Sequence, residues 1–203
     1  VIIDMSPSLG ALNQNLLCSS DAFIVPMAPD FFSAMALRSL ARILPTWKKW
    51  SDKAANTDLL IEADYPWPNT SPKYLGSIVQ NYRRRSRDGQ EAKPTQAYQK
   101  WFDALSLAKS DVLIPRLDEI GYLFDTQTYL DAGTDLEDFL MEVPDFNSLI
   151  AVSQTTSKPV FSLTDQELQS TGIVLEVQQK NINEFNQLYT EGANRILGLL
   201  ENG

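Results

Sequence analysis

Short apolar runs alternating with helical stretches predict an α/β fold built on a doubly wound, mostly parallel sheet. Two observations carry this. The runs are continuous rather than alternating with polar residues, the pattern of strands buried on both faces. The stretches between them place apolar residues at helical spacing. A chain of 203 residues suits one such domain, so residues 1–203 are read as a single α/β domain.

The elements follow in order. Val1-Ile2-Ile3, ending in Asp4, reads as the first strand, and Leu9 to Ser19 as the helix after it. Ala22-Phe23-Ile24-Val25, ending in Pro26, reads as the second strand. Phe32 to Trp50 sets Met35, Leu37, Leu40, Ile43 and Leu44 against Arg38, Arg42, Lys48 and Lys49, with Asp30 or Ser33 available as its cap. Ser51 to Lys73 holds Pro66, Pro68 and Pro72 and reads mostly as loop. Tyr74 to Val79, ending near Asn81, is the third strand, and Gln96 to Lys109 the next helix. Val112-Leu113-Ile114, ending in Pro115, is the fourth strand, and Val160 to Leu163 a candidate fifth. The four main strands are expected to be mutually parallel. Leu136 to Glu142 is expected to form a short amphipathic helix, and Asn183 to Leu200 a long one.

Composition narrows the chemistry. Histidine is absent, which excludes His-based zinc sites and Ser-His catalysis within this chain. One cysteine, Cys18, cannot form an internal disulfide, and a reducing, cytoplasmic setting is expected. No apolar run of 18 or more residues occurs, and the Val1 start lacks both an initiator Met and a signal peptide. The chain is therefore read as part of a longer protein. Charge is segregated: all of the net −9 falls between Leu117 and Ser157, which has nine acids and no Lys or Arg. That stretch, about 117–157, reads as an acidic insertion. The densest positive charge is Arg83-Arg84-Arg85 with Arg87. The two are expected on separate faces, the arginine loop projecting from the crevice side and the insertion lying at the periphery of the sheet.

The residues with chemical potential cluster at strand ends. An acid closing a buried strand, as Asp4 does, can hold a magnesium-bound water or cap the next helix. Asn81 can offer a donor and an acceptor to a base edge, or simply make a turn. The arginine run can meet nucleic-acid phosphates, or be a solvated loop paired with acids.

The run Ile2-Ile3-Asp4-Met5-Ser6-Pro7-Ser8-Leu9-Gly10, continued by Ser20-Asp21-Ala22-Phe23-Ile24-Val25-Pro26-Met27-Ala28-Pro29, resembles the ParA/MinD family of deviant-Walker P-loop ATPases, from its Walker B strand onward. Met5 and Ser6 depart from the family's usual residues. Tyr74 to Arg83 is similar to the family's Leu-Gly-x-Val-x-Asn-Arg strand, and Val112-Leu113-Ile114-Pro115-Arg116 to its Val-Ile-Pro-Arg segment. The resemblance implies a P-loop NTPase type of fold whose phosphate-binding part precedes Val1. It implies ATP and Mg2+ as cofactors, with Asp4 acting catalytically through a metal-bound water and Asn81, Pro115 and Arg116 around the base. It further implies an ATP-bound homodimer, non-specific DNA bound through Arg83, Arg84, Arg85 and Arg87, a ParB-like partner, and a role in plasmid or chromosome partition or cargo positioning. None of the nine glycines forms a Gly-x-Gly or Gly-Lys pair, so this stretch alone is expected neither to bind ATP tightly nor to hydrolyse it. Two other readings stand beside this one. One is a non-catalytic interaction module acting through the acidic stretch. The other is a membrane-cycling MinD-like relative, disfavoured because Asn183 to Gly203 has Arg195 as its only base.

Overall fold

The computed structural model describes residues 1–6, 8–62, 67–68, 70–85 and 93–203. The chain runs α1 (Ala11–Cys18), β1 (Ala22–Met27), α2 (Phe31–Ala55), α3 (Asp58–Ile61), β2 (Lys73–Tyr82), β3 (Arg84–Arg85), β4 (Lys93–Pro94) and α4 (Gln96–Ala108). A π-helical turn, Lys109–Leu113, joins α4 to α5 (Ile114–Glu119). After it come α6 (Thr126–Asp131), β5 (Met141–Pro144), α7 (Leu149–Thr156), α8 (Asp165–Leu168) and α9 (Gly172–Asn202).

Three strands form a parallel sheet in the order β1-β2-β5. Pro26 lies in β1, at the sheet's edge, where the missing N–H costs no ladder bond on the open side. Successive residues of β2 serve opposite faces. Val79 joins a core with Leu37, Leu44 and Trp47 of α2 and Phe102 and Leu105 of α4. Ile78 packs against Met141, Val143, Leu149 and Phe185 on the α9 side. Helices thus cover both faces of a mixed α/β layer structure.

Local chemistry explains the elements. Ala34, Leu37, Ala41, Leu44, Trp47, Ser51 and Ala54 are the buried stripe of α2, at the three-and-four spacing of one helical face. The Asp30 side chain accepts from the Ser33 N–H at 2.7 Å and caps the helix. In β2, Gly76 has φ +136°, and a Cβ there would stand 2.9 Å from the Leu140 Cβ. Glycine lets the segment entering β5 cross β2 closely. No described helix is long and apolar enough to cross a membrane.

Several expectations need correction. Ala22–Val25 and Tyr74–Val79 are parallel neighbours as expected, but Val1–Ile3 forms no strand and is exposed. Its apolar residues have no described strand beside them to pair with. Val112–Ile114 is helical, because it continues from α4 through the π turn and buries Leu113 and Leu117 at helical spacing. Val160–Ser162 is a single 3-10 turn. Leu136–Glu142 is not a helix: its last two residues begin β5, which pairs with Ile78–Tyr82. The acidic stretch therefore contributes a strand to the sheet instead of lying at its periphery. Within the segment expected to be loop, α2 continues to Ala55 and α3 follows.

Candidate functional site

A parallel sheet presents its carboxyl ends to one crevice. Here those ends are Met27, Asn81-Tyr82 and Pro144. α1 finishes at Cys18, three residues before β1 begins, and the Cys18 thiol lies 3.8 Å from the Trp47 carbonyl, far along α2 from its capped start. α1 thus runs back along the sheet. That places Gly10, and the turn before it, toward the end where the strands finish.

Asp4 sits in this lead-in as an exposed carboxylate. The turn that follows is fastened by Asn13, a buried side chain whose Nδ2 donates to the Ser6 carbonyl at 2.5 Å and the Ser8 carbonyl at 2.7 Å. Met5, one of the departures from the family pattern, packs against the core between the sheet and α2.

Asn81 is the residue left over where the β2–β5 register slips, Gln80 facing Val143 and Tyr82 facing Pro144. Its φ is +62°, a left-handed conformation that asparagine tolerates better than most residues. The bulge leaves Asn81 exposed between buried Val79 and Tyr82. Opposite, the Asp145 N–H donates to the Tyr82 carbonyl at 2.9 Å, extending the pairing one step past Pro144.

Pro115 and Arg116 lie elsewhere. The Leu117 carbonyl accepts from the Tyr122 N–H, and the Tyr122 carbonyl accepts from the Tyr74 N–H at the start of β2. Seven residue steps along the strand, roughly 23 Å, separate Tyr74 from Asn81. The structure brings Pro115 and Arg116 to the amino end of the sheet, where Arg116 pairs with Glu119. They cannot flank the same ligand as Asn81. The strand-terminal proline near Asn81 is Pro144.

The arginines are partly engaged. Arg83 Nε stands 3.8 Å from Asp145 Oδ2. Arg84 donates from Nε to the Tyr82 hydroxyl at 3.2 Å and from Nη2 to the Glu142 carbonyl at 3.4 Å, with its guanidinium 5.7 Å from the Tyr82 ring centre. The Tyr82 hydroxyl in turn donates to Glu142 Oε2 at 3.2 Å, and burial pushes that phenol's pKa up. Arginine loop and acidic stretch therefore touch, contrary to the expectation of separate faces, because β5 pairs directly with β2. Arg85 is in β3, paired with Lys93 of β4. Arg87 lies outside the described residues.

These positions suit part of a nucleotide. An exposed amide beside a proline ring fits a base edge, and Asp4 fits one metal-bound water. No glycine-rich nest for the phosphates occurs in the sequence. Among the described residues, no group of three or more acids or cysteines is placed to hold a metal ion directly. Sequence reasoning missed Pro144, Tyr82, Glu142 and Asn13. A signal existed for the first: Met141-Glu142-Val143-Pro144 alternates apolar and polar residues and stops at proline, the pattern of a half-buried strand.

The class of protein this segment resembles follows from the Asp4 run: residues 1–61, under a third of the chain, match a family model described as an AAA domain, which supports the likeness to ParA/MinD-type P-loop ATPases. Over 62 residues it is 40% identical to the sporulation initiation inhibitor protein Soj of Bacillus subtilis (strain 168). That alignment covers 30% of this chain and 23% of Soj, so the chain matches about a quarter of that relative's length. No solved structure matches the chain.

Proposed function

We propose that this chain is the C-terminal part of a ParA-type ATPase. In the intact protein, ATP with Mg2+ would drive dimerisation, and slow hydrolysis would reverse it, in partition of DNA or positioning of cargo. The observation that carries this reading is the run from Asp4 to the Pro26-x-x-Pro29 turn, which lies within the residues 1–61 that match the family model, beside a 62-residue stretch 40% identical to Soj. The shape of the strand ends supports it, since Asn81 projects from a bulge next to Pro144 at the sheet's carboxyl end.

Each residue has a stated task. Asp4 accepts a hydrogen bond from a metal-bound water and so orients it. Asn13 fastens the turn that follows. The Asn81 amide pairs with N6 and N7 of adenine, and Pro144, in place of Pro115, covers the base. The nucleotide supplies the phosphoryl group, and the loop that grips its phosphates is assigned to the sequence preceding Val1. Arg83, Arg84, Arg85 and Arg87 are the proposed contacts for DNA phosphates, and a ParB-like protein the proposed partner.

The test is ATP turnover by the intact protein. Asp4→Ala is expected to abolish hydrolysis, and Asn81→Ala to weaken ATP while leaving GTP nearly unchanged, since guanine lacks the N6 donor. An Asp4→Ala protein that hydrolyses ATP at the wild-type rate refutes the catalytic assignment. Equal loss of both nucleotides makes Asn81 structural.

A further inference from the structure

Two of the arginines assigned to DNA are held within the chain, Arg83 by the Asp145 carboxylate and Arg84 by the Tyr82 hydroxyl and the Glu142 backbone carbonyl, and the contact sits at a strand end. Arg83 reaches Asp145, one residue beyond β5. Arg84 lies over Tyr82 and is bound to that hydroxyl and to the Glu142 carbonyl, while the Glu142 carboxylate accepts from the same hydroxyl. Arg84 also borders a groove of about 520 Å³ whose acids are Asp103, Asp135, Glu137, Asp138, Glu142 and Glu191. Among the described residues, the other cation lining that groove is Arg195. A guanidinium placed there is already in the field a phosphate would provide.

From this we infer that the end of β5 is an internal polyanion mimic: Glu142 and Asp145 hold Arg83 and Arg84 and compete with nucleic-acid phosphates for them. The inference rests on the DNA-binding part of the proposed function. The geometry makes the contact displaceable. Both arginines are exposed, and the Arg83–Asp145 pair, at 3.8 Å, is long for a charge-assisted hydrogen bond. Exposed pairs of this kind are weak and screened by salt. A DNA duplex, with its dense line of charge and counterions to release, can outcompete them. The hold therefore lowers affinity for DNA without preventing binding. The Asp145 carboxylate also accepts from the Asn147 N–H at 2.9 Å, which keeps it at the strand end when Arg83 leaves.

The experiment is a salt titration of duplex DNA binding by the intact protein, with ATP and without. Wild type is compared with a Glu142→Gln, Asp145→Asn double variant, whose amides keep the local hydrogen bonds and lose the charge. Tightening by about 3- to 10-fold at low salt is expected, with the slope of log affinity against log salt steeper by about 0.9 for each arginine gained by phosphate. A control removes the same charge elsewhere, at exposed Asp58→Asn and Glu201→Gln. Adding Arg83→Ala and Arg84→Ala to the double variant must cancel the gain. An unchanged affinity and slope in the double variant, with wild type binding DNA, overturns the mimic and leaves the DNA reading standing. So does an equal gain in the control. Absence of DNA binding by every variant at low salt overturns both.

Discussion

Two of the runs of this chain that end in proline, those at Pro115 and Pro144, meet opposite fates. Val112-Leu113-Ile114-Pro115 has the stronger strand composition, yet it is helical at the amino end of the sheet. Met141-Glu142-Val143-Pro144, with an acid in its middle, is a parallel strand whose last residue stands beside Tyr82 at the carboxyl end. The difference teaches that position along the sheet decides. The first run follows α4 without a break, and a helix that already buries Phe102, Leu105 and Ala108 extends most readily by burying Leu113 and Leu117. The second arrives at the free edge of β2 with its backbone unsatisfied, and pairing there supplies the hydrogen bonds while Met141 and Val143 enter the core.

The comparison can be broken most severely at Gly76. Valine there must adopt φ near +136° and meet the Leu140 Cβ, so Gly76→Val is expected to cost about 3 kcal/mol or more and to detach the segment leading into β5. Chemical denaturation measures the loss, and an unfolding free energy within 1 kcal/mol of wild type, on the order of ordinary surface changes, contradicts the close crossing. Next in size is a matched pair. Val143→Ala, at a buried strand position, should cost about 2 kcal/mol. Val112→Ala, half-buried in a helix that favours alanine, should cost well under about 1 kcal/mol. A reversed ranking would mean that the first run carries the packing.

A smaller effect joins the two regions. Lys109, at the π turn that begins the first run, is buried under Phe139 and donates to the Glu137 carbonyl at 2.9 Å and the Asp138 carbonyl at 2.5 Å, just before β5. Burial pulls its pKa down to about 8, against the opposing pull of the Glu137, Asp138 and Asp135 carboxylates. A folded state that disfavours the ammonium loses stability as pH falls from the ordinary lysine range to about 8. Stability should therefore rise as pH climbs above 8. Burial raises the pKa of Tyr74, Tyr122 and Tyr129, the last to about 12, and their contribution is lost above the ordinary tyrosine pKa of about 10. Burial raises the pKa of the Cys18 thiol in the same way, so its contribution is lost above the ordinary thiol range of about 9. The clean window is about pH 8 to 9, where wild type should gain on the order of 1 kcal/mol that a Lys109→Met variant does not. Urea titrations at the two pH values test this, and an identical gain in the variant assigns the rise to other groups.

Legibility in the sequence followed how local the cause was. The helices α2, α4 and the second half of α9 were readable because their apolar residues repeat at helical spacing, and the Asp30 cap because its signal is three residues from its target. Ala22–Val25 and Tyr74–Val79 were readable from unbroken apolar runs. Val1–Ile3 was not, since a strand needs a neighbour that composition does not reveal. β5 was hidden because Glu142 interrupts its apolar residues and eight further acids lie around it, and its pairing partner is some sixty residues away. Asn81 was found from its place after a strand. Its exposure comes from a register slip against a strand that could not be foreseen, and Pro115 was expected near it only because Val112–Ile114 reads as a strand and is instead helical.

In the proposed function, the base of a nucleotide lies between Asn81 and Pro144 at the carboxyl end of the sheet. Photolabelling of the intact protein with 8-azido-ATP and Mg2+, followed by identification of the labelled peptides, tests it most directly. Label confined to the peptides bearing residues 79–84 and 141–147, and suppressed by excess ATP, is the predicted result. Label on residues 112–119, with none at the end of β5, would contradict it.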